Sequence, residues 1–490
     1  MTLWRRISYL ILFISLNSSL QTMGQKMLGS VFSIYSGINS TQINPALITG
    51  SKAYVDINII GANSFFKNNW AYIPKEDQNI WQLIGSDTSL FNYGKYKFNR
   101  TYTYYNNTDP KFLVQSVRIM GPSAMVQTGK HAFGISIQSR VQSSSTNIPY
   151  EIPVFIYEGL NYNNLHDIVY DDNDFNISSL AWTELSLSWG VDFRRFYKNK
   201  LSFGVNAKLL LGHEGAYNIN KNLNYTVHDT SNIEFFNYDA EYGVALPIDY
   251  DSKEIIYQDP LVKGYGVGLD LGFVFTRLKS SFSPREGNKL CSKEYEEYLY
   301  RIGISLMDIG GISFNKNAQK HNFDNVSVSW AEFDTLEYRS INVSFKQLSQ
   351  AFYGNPYQSY TSNKISIGLP TTISLQFEGN FIENIYVAAL WIQPIQFNAK
   401  QTRQASQLSI VPRFENSFFG FSLPITLIQY KYLSLGTAIR LGPLTIGSER
   451  IGILLGVSDL DGMDIYFNLK LSLAKGKCSS RKIGACYQWK

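Results

Sequence analysis

Strict alternation of apolar and polar residues is the dominant pattern along the chain. In Ile465, Phe467, Leu469, Leu471 and Leu473 every second position is apolar, while Asp464, Tyr466, Asn468, Lys470 and Ser472 fill the other phase. Successive side chains of a strand point to opposite faces, so this spacing predicts a strand with one apolar and one polar face. The same rule holds for Leu185 to Phe193 and for Ile365 to Phe377, read at odd positions. Further segments obey it at 53–61, 132–141, 201–211, 264–277, 298–307, 408–415, 419–426, 432–440 and 451–457. Two less regular segments complete the set: 112–127, whose phase changes near Ser116 and Val117, and 385–392, which is apolar on both faces. Helical periodicity of comparable length is missing. The pattern predicts an all-β chain of about 14 strands, an even number that suits a transmembrane antiparallel β-barrel.

Connection lengths point the same way. Long stretches (62–111, 142–180, 212–263, 308–364) alternate with short ones (129–131, 194–200, 379–384), as in barrels with long extracellular loops and short periplasmic turns. A secreted β-sandwich or propeller also alternates, but here the polar phase reads as a filled interior. It gathers Asp56, Glu184, Asp192, Asp270, Glu378, Glu415 and Asp464 with Arg118, Arg140, Lys208, Arg301, Arg413, Arg440 and Lys470. Equal numbers of each sign predict mutually paired lumen charges, because unpaired buried ions are costly, and argue against a strongly ion-selective open pore. Pro370, Pro412 and Pro424 fall in predicted strands, where each removes a ladder hydrogen bond and implies either a kink or a misplaced boundary.

Composition narrows the class. The chain has 490 residues, of which 17% are charged and 15% aromatic, against a usual charged share of about 25% in soluble proteins. Arg5-Arg6, an apolar core from Ile7 to Leu16 and a polar, small-residue stretch to Gly24 have the layout of a secretory signal peptide over residues 1–24. The expected organisation is then a plug or lead-in at 25–50, a barrel at 51–475 and a periplasmic tail at 476–490. Without its signal the chain is close to neutral, so nucleic acid is not an expected partner. Cys291, Cys478 and Cys486 are an odd number, permitting one disulfide in an oxidising compartment. The histidines form no HxxxH or HExxH pattern, and neither a metal nor another cofactor is expected. Asp459, Asp461 and Asp464 lack the remaining ligands of a calcium loop, and Asp461-Gly462 reads as a hairpin turn. Asp171, Asp172 and Asp174 read as a solvated cluster. No nucleophile elbow or phosphate-binding loop is present, so no catalytic residue is assigned.

Several segments carry a resemblance: Gln42-Ile-Asn44-Pro45-Ala46, Gly121-Pro-Ser-Ala-Met125 with Gly129-Lys-His-Ala-Phe-Gly134, Leu306-Met-Asp308-Ile-Gly310-Gly311, and Arg440-Leu-Gly442-Pro443 through Ser448. Together they resemble a Bacteroidota family of outer-membrane β-barrels known only as a domain of unknown function. More distantly, Asn44-Pro45-Ala46 is similar to the FadL-like transporters of hydrophobic compounds and to their relative PorV, an adaptor of type IX secretion. The resemblance implies that residues 25–50 plug the barrel and that Asn44, Pro45 and Ala46 serve the plug or a ligand. It also implies a non-catalytic barrel in outer-membrane lipid that passes or binds a small hydrophobic compound, with an apolar pocket beneath the long loops. The alternative is an accessory subunit of an envelope machine, meeting other proteins through long loops rich in Tyr, Asn and Phe, since aromatics are enriched in interface cores.

Overall fold

A computed structural model describes residues 26–84, 102–171, 173–280, 295–333 and 340–474; all three cysteines, Asp172 and the segments 1–25 and 475–490 lie outside the described residues. Fourteen antiparallel strands close into a barrel. They are β1 (Ala53–Asn68), β2 (Lys111–Met120 and Ser123–Thr128), β3 (His131–Ile148), β4 (Phe175–Phe196), β5 (Asn199–Val227), β6 (Gly264–Leu278) and β7 (Tyr298–Phe314). The second half comprises β8 (Ile365–Gly368 and Thr372–Ile382), β9 (Ile385–Pro394), β10 (Gln407–Glu415), β11 (Phe419–Ser422 and Ile425–Ile428), β12 (Tyr432–Leu435 and Thr437–Leu441), β13 (Leu444–Ser448) and β14 (Gly462–Ala474). Each pairs with the next, and β14 closes on β1 from Ala53↔Ala474 to Lys67↔Gly462. Short turns at one end use left-handed residues, among them Gly129, Asn384 and Gly442, the backbone state that two-residue hairpins require.

Along β4 the sense of the alternation inverts. From Phe193 up to Leu185 the outward residues Phe193, Trp189, Leu187 and Leu185 are exposed and apolar, while Asp192, Ser188, Ser186 and Glu184 are buried inside. Beyond that point the inward residues are Trp182 and Leu180, both fully buried, and the outward ones are Thr183 and Ser179. An apolar exterior with a polar interior belongs in a bilayer, and the reverse belongs in water. The switch therefore marks the edge of a membrane-spanning belt. Above it lies an apolar core that includes Trp182, Leu210, Ile312, Phe314, Ile365 and Ile367, and then a sheet extension made by Ile233–Ala245 and Ala318–Trp330. An aromatic core around Tyr225, Tyr238 and Phe323 fills that extension.

Several sequence expectations change. The alternating run from Ile365 to Phe377 crosses the wall: Ile365, Ile367 and Leu369 point inward, whereas Leu375 and Phe377 point outward. Pro370 breaks β8 at that crossing, opposite Asp308 and Gly310, both with positive φ. Pro424 likewise breaks β11, but Pro412 sits in an unbroken β10 paired with Val387. The phase change in 112–127 falls at Gly121-Pro122, between the two halves of β2, and not at Ser116. Residues 451–457 are not a strand. Ile451–Leu454 is a helical turn and the thirteenth strand is Leu444–Ser448, because Glu449 leaves the sheet to meet the N-terminal segment. Nor is Asp461 part of a tight turn: its half-buried carboxylate pairs with Lys67 and Arg450 and accepts the Tyr105 hydroxyl at 3.1 Å, so it staples the long connections together.

Candidate functional site: a plugged lumen

The segment from Lys26 to Gly50 runs inside the barrel as a four-residue helix and two 3-10 turns, nearly every residue buried. So little regular structure leaves many backbone groups unpaired, and the wall supplies their partners. Glu449 accepts Leu28 N at 3.0 Å, Glu415 accepts Ile34 N at 3.0 Å and Asp56 accepts Ile38 N at 3.2 Å. Gln127 donates to Ile48 O at 2.9 Å, Asn206 to Thr41 O at 3.3 Å, and Lys470 to Tyr35 O. Asn44 does most. Its Oδ1 accepts Ala46 N and starts the second 3-10 turn, while Nδ2 reaches Phe273 O, Ile304 O and Gln376 Oε1.

A row of small residues makes this close approach possible. Ala132, Gly190, Gly204, Gly272, Ser305 and Ser374 are in register across β3 to β8. A Cβ on Gly204 would land on Pro45, one on Gly272 on Asn44, and one on Gly190 within 2.5 Å of Ile48. The Asn44-Pro45-Ala46 motif thus lies in a groove cut into the wall. The glycines at 264 and 266 do not serve the plug: their missing side chains admit the backbone at Ser313 and Gly311. On the other side, Leu28, Val31, Phe32, Ile43, Ala46 and Leu47 pack on the inward residues Val274, Ala388, Leu390, Ile392 and Val411. This explains why 385–392 is apolar on both faces: one meets lipid and the other meets the plug.

All fourteen charged residues read from the polar phase are buried inside, and they fall into clusters. Arg140 holds Asp308 through two bonds of 2.8 Å and reaches Glu184 at 3.4 Å. Lys208 bridges Asp308 at 2.6 Å and Asp270 at 2.8 Å, and Arg118 donates to Gln42 of the plug at 2.6 Å. In a second cluster Glu378 takes Arg301 at 2.5 Å, Arg413 and the Tyr298 hydroxyl, and Arg413 reaches Glu415 at 3.1 Å. Asp56 pairs with Lys470 at 3.5 Å. Asp192 pairs with Arg195 at 2.6 Å near the short turns, Arg440 caps the carbonyl of Asn416 at 2.6 Å, and Asp464 accepts Glu449 N at 3.0 Å. Three members escape the alternation rule. Asp308 lies one residue beyond the predicted strand, Glu449 in a connection, and Lys26, which donates to Gln42 O at 3.3 Å, in the plug. Burial, and next the nearby Arg118, push the Lys26 ammonium down to about 7.

Beside the plug, one cavity is lined by Arg118, Arg140, Lys208, Asp270 and Asp308 and another by Glu415 and Arg440, each with about 10 Å³ of free space. That is room for one water and not for a hydrocarbon. The apolar pocket expected beneath the long loops is not what these cavities provide, because the plug's own side chains cover the apolar wall.

The sequence profile described as a family of unknown function (DUF5723) matches residues 45–449, and the chain belongs to that family. No curated protein matches it in sequence. Among solved structures it is similar to the toluene transporter TbuX of Ralstonia pickettii, with 10% identity, 92% of this chain and 98% of that one covered, and a TM-score of 0.37. A FadL homologue from Pseudomonas aeruginosa gives 10%, 92%, 98% and 0.39, and the translocator domain of the autotransporter NalP from Neisseria meningitidis gives 6%, 86%, 89% and 0.31. At such values each is a likeness of fold alone.

Proposed function

We propose that this outer-membrane barrel binds and passes a small hydrophobic compound, with the N-terminal segment as its gate. The observation that supports the reading is the apolar seat under the plug. Val274, Ala388, Leu390, Ile392 and Val411 face inward alongside the buried charge clusters, and an aqueous pore has no use for such a patch. Any apolar compound that enters competes with Leu28, Val31, Phe32 and Leu47 for it. The charged clusters belong to the frame: they fix the wall and hold the plug by its backbone. Under this reading residues 1–24 are a signal peptide and the source is a Bacteroidota bacterium.

An adaptor role, in the manner of PorV, is favoured by one observation. The long-connection end is built as an ordered sheet over an aromatic core, with Ile255, Ile256 and Tyr357 exposed. An intact-complex mass spectrum of protein extracted from its own membrane separates the readings. A bound lipid-like small molecule is the result expected for transport; protein partners at fixed stoichiometry with no small molecule would replace it by the adaptor.

A further inference from the structure

We propose that the short-turn end of β3 to β6 is a binding surface for anionic phospholipid, independent of what passes through the lumen. Two layers define it. The upper layer is a chain of outward rings across four strands: His131 stacks on Trp189 at 6.1 Å, Trp189 meets Phe203 edge-on at 6.3 Å, and Phe203 meets Phe273 at 4.9 Å. Aromatic rings of this kind sit at the boundary between acyl chains and headgroups.

The lower layer is cationic. Lys130 sits on the β2–β3 turn next to His131, Arg194 near the end of β4 and Lys198 on the β4–β5 turn. Lys130 O accepts Asp192 N at 2.8 Å and Lys198 O accepts Leu278 N at 2.7 Å, so the β2–β3 turn, the β4–β5 turn and the end of β6 are neighbours. Arg277 joins them, its guanidinium bonded to the Asn199 amide at 2.8 Å. Among the described residues no carboxylate lies within ion-pair distance of Lys130, Arg194 or Lys198. The contrast with the adjacent Arg195 and Lys200 is sharp, since both point to Asp192 and Glu296. Lys198 lies instead over the Tyr197 ring at 5.9 Å, and Lys130 and Arg194 are exposed. Phe196 and Tyr197 at the tip of the β4–β5 turn are 71% and 65% exposed, which places apolar surface between the cations. Short turns of such barrels face the periplasm, and the leaflet there is phospholipid. Charge complementarity and continuity with the lipid belt together select a headgroup that carries net negative charge over a zwitterionic one.

The test uses full-length protein reconstituted with equal amounts of phosphatidylglycerol and phosphatidylcholine, released into mild detergent and weighed intact. The wild type is expected to retain phosphatidylglycerol several-fold over phosphatidylcholine. A Lys130→Gln, Arg194→Gln, Lys198→Gln triple variant, confirmed as folded by its heat-modifiable migration, should lose the preference. A Lys253→Gln, Lys364→Gln control at the opposite end should keep it. Equal retention of both lipids by the wild type, a triple variant that keeps the preference, or a control that loses it would each overturn the proposal.

Discussion

At the scale of single residues, the interior is a set of buried charges whose geometry decides whether they help or harm. Arg140 spans Asp308 with both nitrogens and also serves Glu184. Replacing it by Met takes away the two-bond partner of Asp308 and leaves Asp308 and Glu184 to Lys208, and breaking a buried pair in this way costs about 3–5 kcal/mol. Urea unfolding of the reconstituted barrel is expected to show a loss of that size for Arg140→Met. Lys26 makes a separate, pH-dependent prediction. Docked, its ammonium is pushed down to about 7, while the group's ordinary value is 10.5. Between those values the undocked plug holds the extra proton, so docking strengthens as pH rises from 7 and is weakest below it. The gain is at most about 1.4 kcal/mol per pH unit. Hydrogen-exchange protection of residues 26–50, corrected for intrinsic rates, should rise over that range, and Lys26→Met should remove the slope.

At the scale of elements, the two-residue period made the barrel legible and its breaks were the part that stayed hidden. Glu184, Asp192, Lys470 and the other inward charges could be read because β-structure in lipid permits only one polar face. The same rule misplaced Ile365 and Ile367, since alternation in sequence continues unchanged through Pro370 while the face it describes moves from the membrane to the apolar cap. Nothing local distinguishes Ile451 and Ile453 from a strand; a distant partner, Leu28 with Glu449, takes the chain out of the sheet. The plug motif was visible only by resemblance, and the small-residue row that seats it appears only when six strands are set in register. The inversion predicts different tolerance on one outer surface. Ile304→Arg, on the belt, should cost about 2–4 kcal/mol, and Ser179→Arg, outward but above the switch in β4, should fall within about 0.5 kcal/mol of neutral, both measured by unfolding in lipid.

At the scale of the whole molecule, a closed wall and a paired polar interior surround an apolar seat covered by the chain's own N-terminal segment. On the proposed function, the plug must leave its seat for anything to pass. Ser33 Oγ of the plug lies 3.3 Å from Glu415 Oε2 of the wall, so a Ser33→Cys, Glu415→Cys pair can be tied together oxidatively through a short, reducible bis-thiosulfonate linker. With the three native cysteines changed to Ser, uptake of radiolabelled toluene and oleate would be followed in Gram-negative cells lacking their own hydrocarbon and fatty-acid transporters. A gating plug gives no uptake above the empty-vector rate when the pair is oxidised and recovery when it is reduced. Equal rates in the two states would contradict it.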